Sequence, residues 1–319
     1  MRRRDFIVAI GGAATWPMAA RAQQRGKLPV IGFMPVLPSA AFLEGLKSAG
    51  YVEGENVTIE YPSADDRFER LQAIAKEFVR RRVAVIVASG NQSIFAAKAA
   101  TSTIPIVFSN TTDPVLMGYA AAINRPGGNL TGWSMFNVSL AGKRLDLLRQ
   151  LVGPKAALGA LLNPKNPSME LHLHEVEEAS RKLDREISVF RASTLNDVIA
   201  TFASLSERGI GALYVDDEAF FNLNNPVLAA FALEHRIAAS FRGRDAVVAG
   251  GLTSYGARPT DNMRQLGVYA GRILKGDKPG DLPIVSPTKF EFVLNLKTAR
   301  SLGLEVPPTV LALTDEVIE

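Results

Sequence analysis

Two apolar strand patterns follow each other between Val83 and Pro114, and each ends in a run of polar residues. Residues 83–88 and 104–108 are continuous apolar runs, which are typical of parallel strands covered on both faces. The alanine-rich segment between them predicts a helix that ends near Thr101. Strand, helix and strand in this order predict a parallel sheet with a crossover helix, so this stretch constrains the chain to an α/β fold.

The polar residues that follow the two strands predict a binding pocket. They are Ser89, Gly90, Asn91 and Gln92 after the first strand, and Ser109, Asn110 and Asp113 after the second. Ligands of open α/β sheets bind beyond the carboxyl ends of the strands. The first loop also begins a helix, whose free N–H groups favour an anion such as a carboxylate. Taken singly, these residues are better explained as caps of helices and turns, but two such loops side by side favour a pocket.

The first 22 residues predict a cleavable export signal. Arginines at positions 2–4 precede an apolar segment at 6–20, and Ala20-Arg21-Ala22 fits a cleavage site of the A-x-A type. The run from Arg3 to Ile7 fits the twin-arginine pattern, and an ordinary secretory signal with extra arginines is the alternative. The mature protein is therefore expected to begin near Gln23, in the periplasm.

Composition is typical of a soluble globular protein and argues against nucleic-acid binding and thiol chemistry. The formal net charge is +4, but beyond the first 22 residues 32 basic and 31 acidic residues remain. This balance predicts no basic face for nucleic acid. The chain has no cysteine, so disulfides, thiolate metal sites and a lipid-bearing cysteine are excluded.

The order of predicted elements indicates two similar α/β halves, as expected for 319 residues. Strands and helices alternate up to Trp133, with one of the helices predicted at 115–123, and the alternation restarts near residue 140. Crossings between the halves are predicted near Trp133, Thr253 and Val285. The predicted lobes are therefore 28–133 plus 253–285 and 134–252 plus 286–319, with a ligand cleft between them.

Several segments then resemble a known family, the periplasmic solute-binding components of ABC transporters, and within it the tryptophan/tyrosine-type uptake proteins. The segments that carry the resemblance are 50–57 (GYVEGENV), 104–108 (IPIVF), 113–115 (DPV), 125–132 (RPGGNLTG), 250–256 (GGLTSYG), 272–276 (RILKG), 287–290 (PTKF) and 295–299 (NLKTA). The resemblance covers essentially the whole mature chain.

This resemblance implies a type I periplasmic-binding fold, in which two Rossmann-like parallel-sheet lobes are joined by a multi-strand hinge. It implies a small ligand, either an amino acid or a related small carboxylate, including aromatic ones. It also implies an ABC permease and ATPase as partners, a monomer, no nucleic acid and no cofactor. A periplasmic protein that reports to a membrane sensor is the alternative function.

If the ligand is an amino acid, its two charged groups predict roles for the charged candidate residues. Its carboxylate is expected at residues 89–92, and its ammonium is expected at Asp113 or Asp216. A turn is the alternative role for Asp113, and helix capping is the alternative for Asp216 and Asp217. Arg242 and Arg244 follow a strand and are predicted either to clamp an acidic ligand or, more simply, to form a solvated surface pair.

The remaining candidates are aromatic or amide side chains. Trp133, Phe220 and Tyr255 are predicted either to stack on the ligand or to pack in the core. Asn163 and Asn166 are predicted either to face the cleft or to form turns.

Catalytic and metal motifs are missing from the sequence, so we expect no enzyme activity and no metal site. His172 and His174 are two residues apart on a predicted helix and do not face each other, and His235 ends a helix. No G-x-S-x-G, H-E-x-x-H or P-loop motif is present.

Overall fold

The structure is a computed structural model that describes residues 28–34, 39–64, 68–134 and 140–319. The predicted export signal at 1–22 lies outside the described residues. The described chain forms two α/β lobes, each with its own sheet, as the sequence predicts. None of its helices combines the length and the apolar character that a membrane crossing requires.

The first lobe contains a five-stranded parallel sheet in the order β2-β1-β3-β4-β5. Its strands are β1 (Val30–Met34), β2 (Thr58–Glu60), β3 (Val85–Ser89), β4 (Ile106–Asn110) and β5 (Leu130–Ser134), and its first helices are α1 (Ala40–Ser48), α2 (Leu71–Arg81) and α3 (Asn91–Ala100). The register sets Ser89 opposite Ser109, so β3 and β4 end at the same edge.

Both faces of this sheet are buried, which explains the continuous apolar runs of β3 and β4. Val85 and Val87 point to one face and pack against α1 residues such as Leu46. Ile86 and Phe108 point to the opposite face and belong to a second core. Alternate residues of one strand therefore serve two hydrophobic cores.

The second lobe contains a seven-stranded sheet in the order β12-β11-β10-β9-β8-β6-β7, and every pairing is parallel except β10 with β11. Its first elements are α4 (Leu140–Val152), β6 (Ala157–Leu162), α5 (Met169–Leu183), β7 (Ile187–Arg191), α6 (Leu195–Glu207), β8 (Ile210–Val215), α7 (Ala219–Leu223), α8 (Asn225–Glu234), β9 (Ala238–Phe241), α9 (Arg244–Val248) and β10 (Thr253–Gly256). After α10 (Pro259–Leu274), the last elements are β11 (Glu291–Asn295), α11 (Leu296–Ser301), α12 (Pro308–Leu311) and β12 (Glu316–Ile318).

The chain crosses between the lobes after β5, after β10 and before β11. Helix α10 returns to the first lobe, where Leu266 and Ala270 join the core beside α1. Thr253–Gly256, predicted as the start of the returning segment, instead pairs with β9 and β11 in the second sheet. The return therefore lies between Gly256 and Pro259, because β10 is itself a sheet strand.

The helix predicted at 115–123 is not present, and this segment consists of turns. Asp113 and Pro114 start the turns, since their carbonyl groups accept hydrogen bonds from Met117 and Tyr119. Gly118 then takes a φ of +65°, which ends any helical path. The short elements α7, α9, α12 and β12 were not predicted from the sequence.

Candidate ligand-binding site

A cavity of about 180 Å³ lies between the lobes, at the carboxyl ends of strands from both sheets. From the first lobe it is lined by Ser89, Gly90, Asn91, Gln92, Ser109, Asn110 and Thr111, and by Asn262 and Met263 of α10. From the second lobe it is lined by Asn166, Asp217, Glu218, Ala219, Asn222, Leu223 and Arg242. The cavity therefore brings together these candidates from the sequence: Ser89, Gly90, Asn91, Gln92, Ser109, Asn110, Asn166, Asp217 and Arg242.

The first-lobe wall is built around the N-terminus of α3. Gly90 precedes the helix with a φ of +85°, a conformation that glycine adopts without strain. No side chain caps this helix end, and the Gly90 N–H donates to the Ser109 carbonyl at 2.8 Å. The N–H groups of the first turn lack intrahelical acceptors, and together with the helix dipole they favour an anion.

Two lining residues, one from each lobe, have a buried amide atom without a hydrogen-bond partner among the described residues. Asn110 donates from Nδ2 to the Thr112 carbonyl at 2.6 Å, which fixes Oδ1 as an acceptor without a partner among the described residues. Asn166 accepts from the Ser168 N–H at 3.1 Å, which leaves Nδ2 as a donor without one. The two residues are only 1% and 5% exposed, and a buried polar atom without a partner is uncommon in a folded protein.

The second-lobe wall carries the charges of the cavity. Asp217 forms an ion pair with Arg242 at 3.0 Å and accepts from Asn222 Nδ2 at 2.9 Å. Glu218 begins α7, where its carboxylate accepts from the Phe221 N–H at 2.8 Å and from Asn163 Nδ2 at 3.1 Å. Burial raises the pKa of Glu218 to about 7. Among the lining residues that the structure describes, both carboxyl groups therefore lie on this wall.

The model of the ABC transporter substrate binding protein family matches residues 38–318 of the chain. The chain belongs to that family. A curated relative, the tyrosine-binding protein of Clostridioides difficile, is 27% identical over 268 residues, which are 83% of this chain and 76% of the relative.

Two solved structures show the fold of this substrate-binding protein. A domain from Streptococcus pneumonia in complex with L-Trp is 21% identical, covers 92% of this chain and 100% of its own, and has a TM-score of 0.81. A ligand-free, open substrate-binding protein with adhesive properties from Clostridium difficile is 24% identical, covers 92% and 99%, and has a TM-score of 0.61. The type I periplasmic-binding fold implied by the sequence is thereby confirmed.

The two lobes of the substrate-binding protein are closed on each other. Thr112 Oγ1 lies 3.2 Å from Ser168 Oγ, and Thr111 Oγ1 lies 3.4 Å from the Asp217 carbonyl oxygen. Lys165 forms an ion pair with Glu69 at 3.0 Å across the rim. Direct contacts of this kind agree with the lower TM-score for the open structure.

A second cluster of titratable groups lies behind the charged wall. His172 Nδ1 is 2.7 Å from Asp216 Oδ2, and both side chains are buried. Burial is the largest single effect on the pKa of His172 and lowers it, but the nearby carboxyl groups, with Asp216 first, together raise it further, so the net shift is upward. Burial also raises the pKa of Glu175 to about 7. Asp216 therefore pairs with a histidine and does not line the main cavity, contrary to its predicted role.

Two other predicted polar residues shape loops outside the cavity lining. Asp113 Oδ1 accepts from the Val115 N–H at 2.7 Å, which is the turn role that the sequence left as the alternative. Asn163 accepts from the Lys165 N–H at 2.9 Å and donates to Glu218, so it orients a lining residue without lining the cavity.

The three predicted stacking residues pack elsewhere. Trp133 is 3% exposed in the first-lobe core, and its strand forms a bridge with Val285 at the hinge. Phe220 belongs to the core of the second lobe. Tyr255 stacks on Phe290 with ring centroids 6.0 Å apart. Core packing is therefore the role that the structure gives to these aromatic side chains.

The two arginines after β9 have different positions. Arg242 lines the cavity and pairs with Asp217, whereas Arg244 pairs with Glu316 at 2.7 Å on the surface. A solvated surface position, the simpler alternative from the sequence, is therefore correct for Arg244 and wrong for Arg242.

Sequence reasoning missed lining residues in two places, after β8 and on α10. Glu218 and Asn222 follow β8, and the acidic run at 216–218 was a signal that a third acid lay at the strand end. Asn262 and Met263 carry no such signal. They reach the cavity because α10 returns to the first lobe from the second.

Proposed function

We propose that this protein captures an α-amino acid in the inter-lobe cavity and presents it to the permease of an ABC transporter. The observation that carries the proposal is the pairing of a helix N-terminus on one wall with carboxyl groups on the other. These walls complement the two opposite charges of an amino-acid backbone. The curated relative is named for binding tyrosine, which supports the same ligand class.

The walls suggest one orientation for the bound molecule. The carboxylate faces the N–H groups at Asn91 and Gln92, where the helix dipole stabilises negative charge. The ammonium faces Asp217 and Glu218 of the second lobe. An ammonium in this position favours the ionised form of Glu218, because opposite charges lower the pKa of a buried carboxyl group.

Binding and closure are coupled in this proposal. The ligand contacts both walls only when the lobes are closed, so it shifts the population towards the closed form. The permease then recognises that form, and the ligand is released without chemical change. Export by the predicted twin-arginine signal places the mature monomer in the periplasm, where the permease and its ATPase meet it at the inner membrane.

Isothermal titration calorimetry against the twenty proteinogenic amino acids tests this function. At least one amino acid should bind, and Asn110→Ala and Asn166→Ala should each weaken it about tenfold, because each removes a buried hydrogen-bonding group. Asp113→Ala is the matched control, since Asp113 shapes a turn outside the cavity lining. The proposal fails if no amino acid binds, or if mass spectrometry shows that the protein converts the ligand that does.

A further inference from the structure

A buried hydrogen bond joins the two lobes beside the cavity. Thr112 Oγ1 of the first lobe lies 3.2 Å from Ser168 Oγ of the second, and each residue is only 1% exposed. Neither belongs to the described residues that line the cavity. We infer, on the basis of the proposed function, that this pair holds the lobes closed around a bound amino acid and slows its release. We name the pair the interlobe latch.

The hydrogen bonds around the interlobe latch run in one direction. Asn91 Nδ2 donates to Thr112 Oγ1 at 3.0 Å, which leaves the hydroxyl hydrogen of Thr112 for Ser168 Oγ. The Ser168 hydroxyl in turn donates to Met117 Sδ at 3.5 Å. Each hydroxyl group of the latch therefore both accepts and donates. Consecutive hydrogen bonds in a buried chain of this kind strengthen one another.

The first-lobe half of the interlobe latch is fixed within its own lobe. The Thr112 carbonyl oxygen accepts from Asn110 Nδ2 at 2.6 Å and from Ser134 Oγ at 3.0 Å. Asn110 ends β4 and Ser134 ends β5, so the Thr112 backbone is tied to two neighbouring strands. Because Thr112 is already held in place, less conformational entropy is lost when the latch forms.

The second-lobe half of the interlobe latch comes from a residue type with a different usual role. Ser168 is the residue before α5, where a serine ordinarily caps the helix with its hydroxyl group. Here the Ser168 side chain makes no capping hydrogen bond. Its backbone N–H donates to Asn166 Oδ1 at 3.1 Å, which helps to fix the residue. The hydroxyl group is therefore directed to the first lobe and not to its own helix.

Burial distinguishes the interlobe latch from the other polar contacts between the lobes described above. The ion pair of Lys165 with Glu69 is exposed to solvent. Thr111 Oγ1 lies 3.4 Å from the Asp217 carbonyl oxygen, which is long for a hydrogen bond. Removal of one latch hydroxyl leaves its partner buried and unpaired in the closed form, and this costs more than the loss of an exposed hydrogen bond. The latch therefore affects binding through closure.

Asn91 connects the interlobe latch to the start of α3. It is the first residue of that helix and lines the cavity, and its side-chain amide donates to the Thr112 hydroxyl. An amino-acid carboxylate at the N–H groups of this helix turn holds Asn91 in place, and Asn91 then keeps Thr112 oriented towards Ser168. The bound molecule therefore favours the geometry that closes the lobes.

A double-mutant cycle measured by calorimetry at pH 7 tests the interlobe latch. The probe is the amino acid that binds most tightly among the twenty proteinogenic ones. Thr112→Val keeps the side-chain shape and should raise the Kd about tenfold, because it removes the buried hydroxyl partner of Ser168. Ser168→Ala should raise the Kd about fivefold for the same reason. The double variant should show an increase of only about tenfold, because the second substitution removes a hydrogen bond that is already broken.

Two further variants separate closure from a general structural effect. Thr112→Ser keeps the hydroxyl group and should leave the Kd within about twofold. Thr194→Val is the matched control, because Thr194 caps α6 of the same lobe as Ser168 and is exposed. It should lower the free energy of unfolding and leave the Kd unchanged. In stopped-flow measurements, Thr112→Val should raise the dissociation rate constant and change the association rate constant less than about twofold.

The outcome of the cycle separates the interlobe latch from the proposed function. Increases in Kd that simply multiply in the double variant, or an unchanged Kd in both single variants, would overturn the latch and leave amino-acid binding intact. Absence of binding by every amino acid would overturn both.

A cysteine pair provides a second test if a hydroxyl variant does not fold. The chain contains no cysteine, so Thr112→Cys combined with Ser168→Cys offers a single possible disulfide. The pair should oxidise completely, because the two hydroxyl oxygens lie 3.2 Å apart. Oxidation with the same amino acid present should retain it through gel filtration, and reduction should release it. A pair that does not oxidise, or an oxidised protein that exchanges the amino acid freely, would overturn the inference.

Discussion

The two walls of the cavity achieve polarity in different ways. The first-lobe wall uses backbone N–H groups at the start of α3 and neutral side chains such as Asn110 and Asn262. The second-lobe wall uses the carboxyl groups of Asp217 and Glu218 with the guanidinium of Arg242. One wall is therefore a set of fixed dipoles, and the other is a set of ionisable groups.

This difference predicts where sensitivity to pH resides. Helix dipoles and amide groups do not titrate between pH 5 and 8, so the first wall should keep its properties in that range. The second wall and the cluster behind it contain Glu218, Glu175 and His172, whose pKa values are all raised. Stability and binding should therefore respond to pH through the second lobe.

The largest expected effect is on stability. Burial raises the pKa of Glu218 to about 7 from an ordinary value of 4.5. Between these values the folded state holds a proton that the unfolded state has released, so the free energy of unfolding falls as pH rises. Glu218 accounts for about 3 kcal/mol of this loss. Urea unfolding at pH 5 and pH 8 measures it.

The variant Glu218→Gln separates this group from its neighbours. The stability lost between pH 5 and pH 8 should be smaller in the variant by about 3 kcal/mol than in the unaltered protein. Asn110→Ala, in the neutral wall, is the matched control and should leave the loss unchanged. Equal losses in all three proteins would remove Glu218 as the source of the pH dependence.

The next effect is on ligand binding, where a charged and a neutral wall should respond differently to substitution. Asp217→Asn removes a charge from the second wall while nearly preserving its shape, and it should raise the Kd about 100-fold, since buried charged pairs contribute about 2–5 kcal/mol. Ser89→Ala removes a neutral group from the first wall and should raise the Kd less than tenfold. Calorimetry with one ligand at pH 7 measures both values. If both variants raised the Kd by a similar factor, the charged wall would contribute no more to ligand binding than the neutral wall.

The sequence predicted the lobes better than it predicted the site. The continuous apolar run at 83–88 identified β3 because parallel strands are buried on both faces, and the structure confirms this arrangement. The helix predicted at 115–123 was wrong, because Pro114 and Gly118 start and end local turns there. The local hydrophobic pattern therefore predicted the buried strands correctly, but it failed at residues 115–123, where the backbone geometry of the turns determines the structure.

The site required information that local pattern does not contain. The residues at 89–92 were found because strand end and helix start are adjacent in sequence. Trp133 and Tyr255 were candidates by residue type alone, and only the fold shows that they pack in the interior. Asn262 was missed because its place in the cavity depends on the return of α10 across the lobes.

A smaller effect concerns how closely the walls approach. A Cβ atom on Gly90 would lie 3.3 Å from the Ala219 Cβ of the other lobe. Gly90→Ala should therefore hinder closure and raise the Kd about tenfold, as crowding of a packed contact costs about 1–3 kcal/mol. Gly54→Ala is the matched control, because Gly54 has a similar φ of +80° with open space around it. Both variants should lose stability from backbone strain, and calorimetry should show weaker binding only for Gly90→Ala.

The smallest effect is expected at the rim, where the walls also meet. Lys165 and Glu69 form a 3.0 Å ion pair across the lobes, but their side chains are 52% and 69% exposed. An exposed pair contributes about 0.2–1 kcal/mol, so Lys165→Ala should raise the Kd less than about fivefold, and added salt should mask the difference. Calorimetry at low and high ionic strength tests this. If Lys165→Ala lost as much affinity as Asp217→Asn, the rim ion pair and not the buried walls would hold the lobes closed, because an ordinary solvated ion pair cannot contribute so much.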